Sequence, residues 1–378
     1  MRTMLSRGPS NTTFLKQTWI QRNLHLDETL LGPLLILALA GLAVLYSAFD
    51  QNIDAINRQI IRLGIAFGVM LVLAQIPPTT LRRWAPWLFA VSVATLVAVL
   101  FIGVEGKGAK RWLDFGVFRF QPSEVMKIAL PMMVAWYLSR YPLPPNWKQI
   151  AISLFIVLVP TALIIRQPDL GTSLLVAASG LFVLYLAGLR LRYMIGAAIA
   201  IVGSAPLLWY FGMHDYQRQR VLTFLNPERD PLGAGYHIIQ SKIALGSGGT
   251  YGKGWLNGTQ SHLEFLPERH TDFVFAVLGE EFGLFGVILL LLLYAFIIGR
   301  GLFIAVNAQD SFSRLLAGSL SLTFFVYIFV NAGMVSGLLP VVGLPLPLIS
   351  YGGTSMVTLM AAFGILMSIH THRRMWSS

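Results

Sequence analysis

Cysteine is absent from all 378 residues, which removes disulfides, thiolate metal sites and a cysteine nucleophile together. Charge is scarce as well: Asp, Glu, Lys and Arg make up 12% of the chain, about half of the ~25% usual in soluble domains. Acidic residues are the rarer sign, 17 against 28 basic, for a formal net charge of +11. No basic block interleaved with aromatics accompanies that excess. It therefore reads as the Lys/Arg bias of cytoplasmic loops, and no nucleic-acid partner is expected. There is no Walker motif, dinucleotide fingerprint or Gly-x-Ser-x-Gly elbow, so no nucleotide or organic cofactor is expected. An activated substrate would have to bring its own leaving group. His262 and His270 lack ligand spacing, so a zinc site is not expected either.

What is abundant is apolar sequence: 55% of residues are hydrophobic, the mean hydropathy is +0.66, and runs of membrane-spanning length recur from 30 to 370. These runs predict an all-α polytopic membrane protein, a single transmembrane helical bundle over 30–370. Ten spans are expected: 30–49, 57–76, 84–104, 123–139, 149–166, 171–189, 194–212, 273–299, 315–335 and 350–369. The polar stretch 1–29 is expected to be a cytoplasmic tail followed by a signal anchor, and 371–378 a second cytoplasmic tail.

With the N-terminus inside, the inner loops hold Arg82, Arg83, Arg140, Lys148, Arg190, Arg192, Arg300 and Arg314. Both termini then fall in the cytoplasm. The outer loop 105–122 breaks the bias with Lys107, Lys110, Arg111 and Arg119. Of the acidic residues, Asp27, Glu28 and Asp310 fall inside and the remainder on or near the outer side, so charges of both signs gather there. The large outer loop 213–272, between spans seven and eight, is too long for a plain connector. It is expected to cap the bundle through a short helix over 236–245 ended by Gly246, with Gly248, Gly249, Gly252 and Gly254 following.

The charged cluster Glu268-Arg269-His270-Thr271-Asp272 stands at the mouth of the eighth span, a costly place for charge. Asp272 fits a general base at the membrane border, and Thr271 and Asp272 are also good N-cap types. Glu124 and Lys127 share a helix face at i,i+3 behind the cap Ser123, either lining a cavity or neutralising each other. Lys107, Lys110 and Arg111 fit an anion site or a solvated loop. Asp169 opens the sixth span, where a capping carboxylate or a ligand for a divalent cation would both fit. The segment Tyr351-Gly352-Gly353-Thr354-Ser355 at the tenth span carries the same ambiguity. Arg218 and Arg220 fit solvated side chains with some scope for phosphate contact.

Several of these motifs together resemble the SEDS family (shape, elongation, division and sporulation) of peptidoglycan glycosyltransferases. They are Lys110-Arg111-Trp112-Leu113 with Gln121-Pro122-Ser123-Glu124 and Lys127, Gln167 to Thr172, Gly235-Tyr236 with Gln240-Ser241, Leu266 to Phe273, and Pro347 to Ser355. Gly252 to Gln260 followed by Arg269-His270 is closer to the elongation-type members than to the division type. The resemblance implies polymerisation of lipid II on the outer face of the bacterial inner membrane. It also implies a class B penicillin-binding protein transpeptidase and other elongation-complex membrane proteins as partners. It places the essential aspartate at Asp272, a cavity pair at Glu124 and Lys127, and a further loop aspartate at Asp169.

Under that reading Asp272 deprotonates the acceptor 4-hydroxyl, which attacks the donor's anomeric carbon with inversion. Lys107, Lys110, Arg111 and Lys127 hold the departing pyrophosphate. Glu124, Asp169, Arg218, Arg220, Arg269, His270, Ser350 and Ser355 complete the expected substrate-binding set. A divalent cation, Mg²⁺ or Mn²⁺, would be ligated by Asp169 or Asp272. No acid is required, because pyrophosphate leaves as an anion. The rival readings are a lipid II flippase, which needs a polar path through the whole bilayer, and a non-catalytic scaffold of the elongation complex.

Overall fold

The computed structural model describes residues 24–372 except 107–108, 115, 117–118, 191, 194, 197–198, 200–202, 204–208, 211–217, 219–221, 223–233, 263–264 and 267. Most of the predicted seventh span, with Lys107 and Arg220, therefore lies outside the described residues. The first helices are α1 (Glu28–Ala48), α2 (Ile53–Gln75) and α3 (Pro78–Ile102). Three short strands follow, β1 (Val104–Gly106), β2 (Ala109–Asp114) and β3 (Arg119–Phe120), then α4 (Pro122–Leu138), α5 (Trp147–Ile165) and α6 (Leu170–Leu186). The remainder is α7 (Ala234–Ser247), α8 (Thr259–His262), α9 (Val274–Val306), α10 (Ser311–Val335) and α11 (Thr354–Thr371). Among the described residues, seven helices are long and apolar enough to cross a membrane, and the chain is a polytopic helical membrane protein.

Local chemistry sets the helix starts. Asp27, Asn52, Asp169 and Asp310 each accept a bond from a first-turn amide. Asn146 and Gln149 form a reciprocal capping box on α5. Pro33, Pro86, Pro131 and Pro160 lie inside helices, as bilayer helices tolerate when neighbours satisfy the freed backbone groups.

Burial separates an inner layer from an outer one. In α10 and α11, 67% and 72% of the apolar window is buried, against 22% for α2, α3 and α9. In α4 the buried face includes Glu124 and Lys127. Helix α10 packs on α9, α6 and α4, α11 on α2, and α9 on α1. The polar residues considered below hang on this inner layer.

Four sequence expectations change. Ser123 is not the cap of α4: Gln121 holds the N-cap position without a side-chain bond, and Pro122 opens the helix. The 105–122 loop carries a small antiparallel meander of β1, β2 and β3 within the helical bundle. The short helix of the outer loop runs through Gly246 to Ser247, so Gly246 does not end it. The eighth span is not one straight helix: α9 breaks at Gly283 (φ 64°, ψ −163°) and continues to Val306.

That break is stitched by the glycine-rich loop 248–254. Lys253 N and Gly254 N donate to the Glu280 and Glu281 carbonyls, at 3.0 Å each. Leu284 N and Phe285 N donate to the Gly249 and Thr250 carbonyls at 2.9 and 3.1 Å. Backbone groups freed by the kink thus find partners, which a helix broken in an apolar setting requires. A Cβ at Gly283 would collide with the Gly252 amide, and one at Gly252 with the Glu281 carbonyl, so this close approach needs glycine on both sides.

Candidate active site

The N-terminal piece of α9, 274–282, is a buried half-helix with Asp272 just ahead of it. Its N-cap position is Phe273, which carries no side-chain cap, so Asp272 does not occupy the capping position. Asp272 is half-buried. The backbone around it is held from the inner layer. Tyr351 N donates to His270 O at 2.7 Å, Ser350 Oγ to Thr271 O at 2.6 Å, and Asn331 Nδ2 to Asp272 O at 2.9 Å. Asn331 also donates to Leu344 O at 2.8 Å, and Leu346 N donates to Ser350 Oγ at 2.7 Å. The 344–350 turn and Asp272 are therefore one hydrogen-bonded unit. On the side-chain face stands Gly343 (φ 71°), where a Cβ would sit 3.4 Å from Asp272 Oδ2. Helix α7 closes the other side, His237 stacking on Phe273 with centroids 5.7 Å apart.

Glu124 and Lys127 do meet: Lys127 Nζ lies 2.8 Å from Glu124 Oε1 and 2.6 Å from the Tyr327 hydroxyl. All are buried, and Ser355 stands beside the Tyr327 hydroxyl. Glu124 Oε2 is buried without a hydrogen-bond partner. The cavity at Lys127 is about 20 Å³, room for about one water. Its lining includes Thr323, Tyr327 and Thr358 but not Asp272. Sequence reasoning missed the link between the two centres. Tyr327 holds Lys127, and Asn331, four residues on in α10, holds Asp272. Four residues rise about 6 Å along one helix face.

Beside the Lys127 cavity runs an apolar groove of about 510 Å³ that shares Ile128 and Thr358 with it and is walled by Trp84, Trp87, Leu88 and Met132.

The other expected residues fall as follows. Arg111 and Asp169, separate candidates in the sequence, come together. Arg111 donates to the Pro168 and Gln167 carbonyls at 2.6 and 3.4 Å and lies 3.8 Å from Asp169 Oδ2. Asp169 Oδ1 caps α6 through Thr172 N at 3.2 Å. A Cβ at Gly171 would stand 2.7 Å from Val342 O, so α6 abuts the residue preceding Gly343. Lys110 is exposed on β2. Arg218 donates to the Trp209 and Tyr210 carbonyls at 2.9 and 3.2 Å. Arg269 is ion-paired with Asp50, and His270 stacks on Phe49 at 4.7 Å, so both tie the cluster to the α1–α2 turn.

Among the described residues a divalent cation finds no ready cage. The Asp169 oxygens are directed at Thr172 and Arg111, and no group of three metal-binding side chains gathers among the described residues.

Buried carboxylates inside α9 were also not singled out in the sequence. Glu280 accepts from Lys253 Nζ at 2.7 Å, Thr259 Oγ1 at 3.1 Å and Gln260 N at 2.9 Å, and Glu281 accepts from Ser47 Oγ. They looked like part of the outer-face charge field, and only the fold shows them as ties holding the outer loop and α1 to the half-helix.

The FTSW_RODA_SPOVE cell cycle protein family matches residues 23–375. Peptidoglycan glycosyltransferase MrdB of Escherichia coli strain K12 is 58% identical, covering 99% of this chain and 99% of that protein. The probable peptidoglycan glycosyltransferase FtsW of Trichlorobacter lovleyi is 38% identical over 91% of this chain and 92% of its own. A solved chain from a peptidoglycan synthase complex that coordinates polymerization and crosslinking superposes with a TM-score of 0.81 at 29% identity, over 92% of this chain and 99% of that one. The Thermus thermophilus rod shape determining protein RodA superposes with a TM-score of 0.70 at 27% identity, over 91% of this chain and 96% of that one.

Proposed function

This chain belongs to the FTSW_RODA_SPOVE family and is a peptidoglycan glycosyltransferase, and from that premise we propose that it polymerises lipid II with Asp272 as its general base. The observation that carries this assignment is the clamping of the His270, Thr271 and Asp272 carbonyls by Tyr351, Ser350 and Asn331. A carboxylate at the mouth of a half-helix is held by its backbone, which orients it without consuming its side chain as a cap.

Asp272 takes the proton of the acceptor sugar's 4-hydroxyl. That oxygen forms a bond to the donor's anomeric carbon as the bond to pyrophosphate breaks, with inversion. The apolar groove beside α4 suits a polyprenyl tail, and Lys127 lines the small cavity next to it. Exposed Lys110, with Lys107 and Arg220, supplies positive charge for the pyrophosphate. Arg111 acts through the 167–169 turn it already holds. A divalent cation would arrive on the pyrophosphate oxygens, Mg²⁺ commonly being bound by substrate phosphates with one or two carboxylates.

The Lys/Arg bias supports both termini on the cytoplasmic side of the inner membrane and Asp272 on the outer face. A transpeptidase of the class B penicillin-binding type is the proposed partner, in line with the synthase complex of the structural relative.

Purified chain in detergent, given lipid II and no membrane, provides the test. Strand formation requires an enzyme, and a flippase would give none. Asp272→Ala is expected to lose on the order of 10²–10⁴-fold in polymerisation rate while keeping its melting temperature. Near-normal glycan synthesis by the folded variant would sink the mechanism.

A further inference from the structure

At the end of the bundle opposite Asp272, where α9 finishes and α10 begins, a cavity of about 560 Å³ is lined by His25, Thr79, Arg82, Asp310, Ser313 and His372 among others. We propose that this cavity is a binding site for a phosphate-ester anion, gripped by Arg82 with His25 and His372.

The first support is the Arg82 guanidinium. It is half-buried and makes no hydrogen bond or ion pair with the described residues. A guanidinium on the wall of such a space presents its fork to an acceptor, and phosphate is the acceptor that geometry suits. His25 supplies the second. Its ring lines the cavity and stacks on His372 with centroids 4.0 Å apart and planes 13° apart. His372 Nδ1 is 3.1 Å from Ser368 O, which leaves Nε2 as the ring nitrogen for a ligand. The third is the start of α3, where Pro77 sits at the N-cap with no side-chain cap and the Thr80 and Leu81 amides donate to Pro77 O, leaving Thr79 on the cavity wall as the first-turn residue with an amide to offer.

Asp310 is the opposing charge, and its oxygens are engaged. Oδ1 accepts from Ser313 N at 3.0 Å and Oδ2 from Ser313 Oγ at 2.6 Å. Behind the histidines, Asp27 is likewise held, by Arg300 at 2.7 and 2.9 Å. A planar cation and two imidazoles around one space suit a tetrahedral oxyanion, which offers acceptors in several directions. The anion can come from a phospholipid headgroup at the membrane surface or from a soluble phosphate ester.

The full chain in phosphatidylcholine nanodiscs is titrated with inorganic phosphate, with chloride as the matched salt, while the melting temperature is followed. A saturable rise beyond chloride is expected. Arg82→Ala should weaken the apparent affinity by about tenfold or more, the usual loss for a charge-assisted contact. Arg83→Ala, which removes the same charge one residue away and off the cavity lining, should leave it unchanged. His372→Ala should weaken it and Arg82→Lys should bind with intermediate affinity, which keeps the test decisive where Arg82→Ala does not fold. Replacing phosphatidylcholine with phosphatidylglycerol separates the sources: loss of the phosphate response assigns the site to a headgroup, and its survival assigns it to a soluble ester. No saturable rise beyond chloride, or equal losses in Arg82→Ala and Arg83→Ala, overturns the proposal.

Discussion

Asn331 touches no expected reacting atom, yet its amide donates to both Asp272 O and Leu344 O from a fully buried position. Asn331→Ala strands those carbonyls, at about 1–3 kcal/mol for each buried group left unsatisfied. The expected result is a fall in kcat with KM nearly unchanged, because Asp272 is displaced and the substrate contacts are not; steady-state kinetics on lipid II measures the split. The Glu124–Lys127 pair behaves differently. Lys127→Met alone leaves a buried carboxylate, and such breaks cost about 3–5 kcal/mol, whereas Glu124→Gln with Lys127→Met removes both charges. Thermal unfolding should show the double variant more stable than the single one, and its residual polymerase activity then tells a packing pair from a working one. These residues differ in how readily sequence shows them. Glu124 and Lys127 are one turn apart, and Asp272 stands at a polarity border, so local pattern marks them. Tyr327 and Asn331 are isolated polar groups in an apolar helix, and their partners Lys127 and Asp272 are 200 and 59 residues away. No periodicity encodes such a separation.

The positions of the described spans followed from hydropathy, because a bilayer obliges each span to satisfy its own backbone, although the expected 84–104 starts at Pro78 and the expected 273–299 runs on to Val306. The break in α9 did not. Glycine is common in membrane helices, and nothing about Gly283 alone distinguishes a kink from a smooth turn. What makes it a kink is the loop 249–254, which supplies the missing hydrogen-bond partners from earlier in the chain. Gly283→Ala would put a Cβ at φ 64° and against the Gly252 amide. The backbone strain alone is on the order of 1–3 kcal/mol, and the collision adds to it. A clear drop in melting temperature with loss of polymerase activity is expected, and Gly299→Ala, whose Cβ would meet nothing within 4 Å, is the control. An unchanged melting temperature in Gly283→Ala would mean that the loop can yield. The meander of β1, β2 and β3 was hidden for a related reason. Its strands are two to six residues long, too short for alternation to rise above the surrounding loop.

At the scale of the molecule, membrane class and multi-pass architecture follow directly from composition, while the pairing of α1 with α9 does not. Three polar ties join them in antiparallel order: Asp27 with Arg300, Ser47 with Glu281, and Asp50 with Arg269. The first is the most committed, since Asp27 is fully buried and Arg300 grips both of its oxygens. Ribosomes deliver these partners far apart in time. Asp27 emerges 273 residues before Arg300, so the carboxylate that caps the start of α1 waits for a cation that has not yet been made. A nascent chain stopped before α9 therefore carries an unanswered charge at its first span. Pulse-labelled chains truncated at Gln260 are expected to be degraded faster than the full chain, and Asp27→Asn should lengthen their lifetime. Biogenesis is thus handed a waiting period by a single ion pair, and the insertion machinery or its quality-control proteases must tolerate α1 until α9 arrives.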